Sequence, residues 1–517
     1  MKWANKNIEF FIYLLIVYLL ILVFKGFNYA SNDVVDVMAY ARYLQDNTLF
    51  NSDFYVTHIA GTIPNERFIF SGFLSLLGTY LTWMPFVLHI IATLIFLTGI
   101  FRIFSLYLDS KPLIWLSILI LLFPLYKFNL GGNELFYNMF IASYIAKVIG
   151  VWAIYFFLKN KYFISFILLI FSTLLHPTVG GQLFIIFIAA MLVNYIIGSK
   201  NENRRKTFWG IILYLLIAGI YLGLLLKEVN NPGISDKEYF EIFEFRNAHH
   251  FFPRYFPLKS YYIEILLYIL GIYFMIIYKY ENLLKLSLII ILGIIVYLTG
   301  AFLFEISLIL STQWFKSTIW LELFSLIAVM KYFEKEFPVV LKSYFNKVLL
   351  IFLSIITLTS SILAVSGFSY FRQKPYRLFY GLNLSQEEDL GIKIKDNTEK
   401  NAVFVYPIEF TGFKFYSERS AYIDFKSVVH RRDALGEWYK RIKQIYGIDI
   451  NTRKSGKNLF AIAKDNYKKV DIEKLSELKN LGIDYMVQYN DVVLDLPVII
   501  KNNKYKVYQI KSNSGKL

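Results

Sequence analysis

Long apolar runs recur along this chain, and no other feature limits its fold so tightly. They cover residues 9–27, 84–108, 112–126, 137–158, 162–175, 182–198, 208–227, 261–280, 285–301, 317–331 and 347–368, which is eleven segments. A spanning helix needs about 20 mainly apolar residues, because hydrocarbon leaves no partner for an open backbone amide or carbonyl. A membrane barrel would alternate polar and apolar residues over short strands, and these runs are continuous. With 56% hydrophobic residues, the chain reads as an all-α polytopic membrane protein of about eleven transmembrane helices.

Residues 68–81 are apolar too, but the run is short and is expected to lie at the membrane surface. Basic residues support that count, since short cytoplasmic loops carry the Lys and Arg. With the amino terminus inside, the inner loops hold Arg102 and Lys111, Lys159 and Lys161, Lys200 with Arg204, Arg205 and Lys206, Lys279 and Lys285, and Lys331, Lys335, Lys342 and Lys347. The expected site is a bacterial inner membrane, with the first run kept as a helix. An odd number of spans puts the tail outside. The net charge of +16 is explained by these loops and by anionic lipid, so nucleic acid is not an expected partner. There is no cysteine, hence no disulfide and no thiolate chemistry.

Two domains are expected: a transmembrane domain over 1–369 with an external loop at 28–67, and a small extracytoplasmic α/β domain over 370–517. The tail mixes strand-like runs at 402–407, 420–425, 484–489 and 505–510 with helical stretches at 433–446 and 471–480. Gly447 and Gly482 stand where those helices should stop. Glu437 and Arg441 read as a surface i,i+4 pair.

Polar features gather on the outer side. The loop at 28–67 is about forty residues long and carries Asp33, Asp36, Asp46, Asp53, His58, Glu66 and Arg67. Asp33 and Asp36 sit at the start of an expected helix over 34–45, where a carboxylate can serve as base for an acceptor hydroxyl or amine. A plain cap by Asn32 or Asp33 fits the same residues. His176 precedes Pro177 and Thr178, and Gly180-Gly181 allows a turn or a close backbone approach. Arg246, His249, His250 and Arg254, interleaved with aromatics, suit a phosphate or pyrophosphate; Lys316 stands at the mouth of the tenth span for the same duty. A divalent ion held by His249 or His250 and an outer-loop carboxylate is the alternative, and no fixed-spacing metal motif accompanies it. Glu305, in a membrane-associated run, is expected to pair with Lys316.

With a long first external loop, an acid just after the first span, surface helices before the second and an outer tail, the chain resembles the GT-C superfamily of integral membrane glycosyltransferases. The blocks His176-Pro177-Thr178 and Arg246-Asn247-Ala248-His249-His250 are similar to those of bacterial membrane proteins of this type. The proline-rich element after the first loop is reduced to Pro64-Asn65-Glu66-Arg67, and no sequon-transferase motif is evident. The resemblance implies a polyprenyl-phosphate or polyprenyl-pyrophosphate sugar donor and a glycan, lipid or protein acceptor at the cell envelope. It also implies Asp33 as catalytic base, with Asp36 second. Glu66, Arg67, His176, Arg246, His249, His250, Arg254 and Lys316 are the substrate-binding candidates. A flippase of lipid-linked glycans and a non-catalytic assembly protein are the competing readings; the first needs a charged path through the bilayer.

Overall fold

The computed structural model describes residues 2–29, 33–196, 204–229, 233–338, 345–365 and 384–510. Asn32, Lys200, Lys342, the last residues of the runs ending at 198 and 368, and the expected domain boundary at 369/370 lie outside them. The described chain divides into two compact units that do not follow its linear order. One is Met1–Asn28, Pro85–Leu222 and Asn247–Leu378; the other is Tyr29–Met84, Gly223–Arg246 and Phe379–Leu517.

The first unit is helical. It contains α1 (Lys2–Lys25), α5 (Met84–Phe104), α6 (Lys111–Leu122), α7 (Ala142–Leu158), α8 (Tyr162–Leu175), α9 (Pro177–Ile196) and α10 (Arg204–Tyr214), which continues through a π turn into α11 (Ile220–Val229), of which the residues up to Leu222 belong to this unit. After these come α13 (Leu258–Ile277), α14 (Glu281–Leu298), α15 (Ser307–Ser311), α16 (Thr318–Glu336) and α17 (Phe345–Val365). Every apolar run of the sequence is thus a helix. Among the described residues, six are long and apolar enough to cross a membrane: Ile8–Lys25, Met84–Phe104, Pro177–Ile196, Arg205–Lys227, Leu258–Ile277 and Glu281–Leu303. On α13 the large side chains of Leu266, Ile269, Tyr273 and Ile276 are exposed, which an aqueous surface would not tolerate as a continuous stripe and a lipid surface favours. This is a polytopic membrane protein.

Ends differ from expectation where turn chemistry intervenes. The third run stops at Leu122, ahead of Pro124, and the fourth starts at Ala142, after turns and irregular backbone over residues 129–141. Gly180 and Gly181 make no turn. Pro177 opens α9, where its missing amide costs nothing, and both glycines are helical. A Cβ on Gly180 would stand 2.3 Å from the Thr173 amide nitrogen, so the close approach is the reason for glycine there.

The second unit joins three stretches of chain. From the first loop come α2 (Val34–Gln45), α3 (Phe54–Ala60) and α4 (Phe68–Ser75); eight residues make α4 about 12 Å long, far short of a bilayer. From the middle comes the first part of α12 (Asp236–Phe251), which leaves helical geometry at Asn247. The C-terminal stretch adds a five-stranded sheet of β1 (Val403–Val405), β2 (Ser420–Ala421), β3 (Tyr485–Tyr489), β4 (Val498–Lys501) and β5 (Tyr505–Gln509), in the order β2-β1-β3-β5-β4. β1 runs parallel to β2 and β3, while β5 is antiparallel to β3 and β4. The helix Arg432–Tyr446 ends on Gly447 at φ 61°, and Gly482 follows Ile472–Asn480 at φ 79°, both as the sequence indicates. β4 and the helices Gln386–Asn397, Phe413–Ser417, Ile450–Lys454 and Leu459–Lys468 were not anticipated. One core of this unit packs Ala39, Tyr40, Tyr55, Val56 and Ile59 of the first loop against Val429 and Ala434 of the tail.

Candidate functional site

The acids of the first loop meet the tail inside the second unit. Asp33 occupies the N-cap position of α2, yet its side chain makes no capping bond. It pairs with Lys426 at 2.5 Å and is about half exposed, with 48% of its side chain accessible. A cap is therefore not what holds this carboxylate. One turn on, Asp36 is buried and accepts a hydrogen bond from the Ser427 hydroxyl at 2.6 Å. Burial, with Asp424 nearby, pushes the Asp36 carboxyl above its ordinary value, while Lys414, Lys426 and Arg67 pull it back.

Lys414 is the buried centre of this network. Its ammonium lies 2.7 Å from Asp424 and 3.7 Å from Asp53, and it donates to the Ser427 hydroxyl at 2.7 Å. Burial opposes that charge, but Asp424, Asp53 and Asp36 outweigh it and hold the lysine above its ordinary value. Asp53 caps α3 through the Val56 amide at 2.9 Å and accepts the Ala421 amide of β2 at 2.9 Å. One carboxylate thus fixes a loop helix and a tail strand together.

Arg246 and Arg67 complete the surroundings. Arg246 donates to the Phe425 carbonyl at 2.7 Å and the Lys426 carbonyl at 2.9 Å, and its guanidinium lies over the Phe425 ring. These bonds set the backbone that carries Lys426 to Asp33. Burial lowers the Arg246 value, against the raising fields of Asp36, Asp33 and Asp424. For Arg67, burial is outweighed by Tyr55, Glu66, Asp36 and Asp33, which raise it. Its Nε is buried and makes no hydrogen bond among the described residues. Glu66 stands 3.4 Å from His430. Asp33, Asp36, Glu66, Arg67 and Arg246 therefore share one unit.

The other candidates belong to the first unit. The Gly131-Gly132-Asn133-Glu134 turn is wedged among them: the His250 ring nitrogen contacts the Gly131 carbonyl at 2.8 Å, and Asn133 donates to the Lys316 carbonyl at 2.9 Å. A Cβ on Gly132 would sit 3.1 Å from His249, and one on Gly131 would sit 2.9 Å from Phe315. Lys147, buried in α7, donates to the Asn133 side chain at 2.7 Å and to the Glu134 carbonyl. Arg254 lies over the rings of Phe252 and Tyr255. His176 contacts the Thr178 hydroxyl at 3.0 Å, and Gln182, in the same helix as Thr178, donates to the Thr312 and Gln313 carbonyls. Glu305 departs from expectation: it is exposed, stands at φ 52°, and makes no ion pair with Lys316 among the described residues. Among the described residues no three His, Asp or Glu converge in a metal-binding group. Arg441 does bond Glu437 at 2.8 Å, and it also covers the Phe54 and Tyr422 rings, so the pair is more than a solvated contact.

A family model described as a domain of unknown function, DUF6798, matches residues 386–445. No curated protein matches the chain. Similar solved structures include an oligosaccharyltransferase from Archaeoglobus fulgidus tethered with an acceptor peptide containing the NVT sequon. It is 12% identical over 95% of this chain and 70% of that one, with a TM-score of 0.44. Another is the archaeal oligosaccharyltransferase AglB from Archaeoglobus fulgidus in complex with an inhibitory peptide and a dolichol-phosphate, 11% identical over 94% and 70%, with a TM-score of 0.37.

Lys414, Asp424, Lys426, Ser427 and His430 were missed from the sequence, where they read as ordinary residues of a mixed tail. Lys147 did carry a signal: it is a lysine well inside an apolar run.

Proposed function

We propose that this chain is a GT-C-type membrane glycosyltransferase that moves a sugar from a polyprenyl-phosphate or polyprenyl-pyrophosphate donor to an acceptor at the outer face. The observation that carries this reading is Asp33: a carboxylate at a helix start, free of capping duty, half exposed, and set beside Lys426. An ordinary aspartate is ionised at neutral pH and can accept a proton. In the proposed step Asp33 takes the proton of the acceptor hydroxyl or amine, the acceptor atom bonds to the anomeric carbon, and the bond from that carbon to the phosphate oxygen breaks. The leaving phosphate keeps the electron pair and remains on the lipid. Catalysis then rests on placement and on cations that meet the phosphate. Lys426 and Arg67 are the cations beside Asp33; His249, His250, Arg254 and Lys316 are candidates by chemistry. In this reading the amino terminus is cytoplasmic, the C-terminal stretch is outside, and the membrane is the bacterial inner membrane.

The test is turnover of polyprenyl-phosphate sugars by the protein in lipid. Asp33→Asn is expected to lose about 10²- to 10⁴-fold, the usual worth of a general base. Because the Asp33 side chain is about half exposed where it meets Lys426, the same variant should melt within about 1 kcal/mol of wild type. Unchanged turnover in a well-folded Asp33→Asn protein would remove the proposed base.

A further inference from the structure

Inside the helical unit, apart from every residue assigned above, two carboxylates face each other. α13 and α16 approach closely where Gly271 meets Ser325: a Cβ on the glycine would lie 2.4 Å from the Ser325 Cβ. Within about two turns toward the helix starts, α13 presents Glu264 and Tyr268 and α16 presents Thr318 and Glu322. The Tyr268 hydroxyl lies beside Glu264, Glu322 and Thr318. Asn129, just before the Gly131-Gly132 turn, brings its amide to 3.4 Å from Glu322. All are buried, Glu264 at 0% exposure and Glu322 at 2%.

Their hydrogen bonding is unfinished. Both oxygens of Glu264, Oε1 of Glu322, the Tyr268 hydroxyl and Oδ1 of Asn129 have no partner among the described residues. Neither carboxylate has an ion pair there. Bare carboxylates at this depth would cost several kcal/mol each, so something neutralises them. The open atoms are all oxygens, two acidic groups with a hydroxyl and an amide carbonyl, and no imidazole takes part. That donor set suits a hard cation and not zinc. Two carboxylates match a charge of +2.

We propose that Glu264 and Glu322 bind a divalent hard cation of the magnesium or calcium class, with Tyr268 and Asn129 as neutral oxygen donors. The ion joins α13 to α16 and ties the turn at 129–134 to both. This assignment stands whether or not the chain transfers sugar.

The experiment uses full-length protein in lipid nanodiscs, stripped with chelator and titrated with magnesium, calcium or manganese chloride while its melting temperature is followed. Wild type is expected to gain several degrees with at least one ion, and Glu264→Gln/Glu322→Gln is expected to gain none. Asp33→Asn should keep the gain, which separates this site from the outer acids. If the double variant does not fold, Glu264→Gln decides: its apparent affinity should fall at least tenfold, and an unchanged affinity overturns the site. A pair neutralised by protons would show no ion-induced shift in wild type and would lose stability as pH rises, which overturns the proposal as well.

Discussion

Lys414 shows what one buried charge does in this molecule. It faces Asp36, Asp53 and Asp424, and replacing it by methionine leaves three carboxylates with reduced compensation. Removing one partner of a buried ionic group typically costs about 3–5 kcal/mol. Lys414→Met is therefore expected to lower the unfolding free energy, measured by denaturation in mild detergent, by about 3–5 kcal/mol at neutral pH. The loss should depend on pH with a definite sign. Asp36 and Asp53 already stand above the ordinary aspartate value of 3.8 through burial, and losing the ammonium moves them higher. A carboxyl raised on folding contributes stability below its unfolded value and loses it as pH climbs through the folded one. The deficit should shrink as pH falls toward about 5. A deficit equal at pH 5 and 8, measured by the same denaturation, would mean that Lys414 acts by packing alone. Asp33 was legible in the sequence because its charge follows an apolar run with no evident duty. Lys426 was not, since its partner is 393 residues away and tail lysines of every kind look alike. Glu264 and Glu322 escaped notice for a different reason: each lies near the start of a run that reads as spanning on its apolar majority.

Among elements, the apolar runs were the most legible part of the fold, since hydrocarbon leaves a 20-residue apolar segment little choice but a helix. Their ends were less so. α9 starts at Pro177, five residues before the apolar run, and the need for glycine at 180 comes from a helix crossing that only the three-dimensional structure displays. There Gly180 meets the Thr173 backbone, while a Cβ on Gly181 would find only Leu222, at 3.7 Å. Two neighbouring glycines in one helix thus give opposite expectations. Gly180→Ala should destabilise by about 1–3 kcal/mol through overpacking. Gly181→Ala should be neutral or stabilise by about 0.4–1 kcal/mol, since alanine restricts the unfolded chain and fits the helix. Melting of both variants in the same lipid checks this, and equal effects would mean that α8 and α9 do not cross as described. The strands were read from alternation, which found β1, β3 and β5 and, in the run at 420–425, the two-residue β2. β4 was lost because Val498, Ile499 and Lys501 are exposed on an edge strand and show no buried alternate face beyond Ile500.

At the scale of the molecule, the first loop and the tail read in sequence as separate pieces, and the structure makes them one unit. Hydrophobic alternation and helix signals are local, so they cannot report a pairing between Asp53 and Ala421 or between Asp36 and Ser427. Those pairings carry a prediction about independence. The tail buries Val429 and Ala434 against Tyr40, Tyr55, Val56 and Ile59, and Lys414 takes a share of its compensation from Asp36 and Asp53. Burying a Val, Leu, Ile or Phe side chain is worth about 1.5–3 kcal/mol, and a whole domain stands only about 5–15 kcal/mol above its unfolded state. A fragment of residues 384–510 expressed alone gives up several such contacts together. It should show poor spectral dispersion by NMR and a broad urea transition, whereas the same fragment joined by a flexible linker to residues 33–84 should sharpen. A cooperative transition and a dispersed spectrum from 384–510 alone would show that the tail is a self-sufficient domain. In that case Asp36 and Asp53 meet a surface already formed without them, and the acids of the first loop are guests of the tail. If instead only the joined protein folds, the geometry at Asp33 exists only when both stretches are present, and substitutions across that core should reduce stability and turnover together.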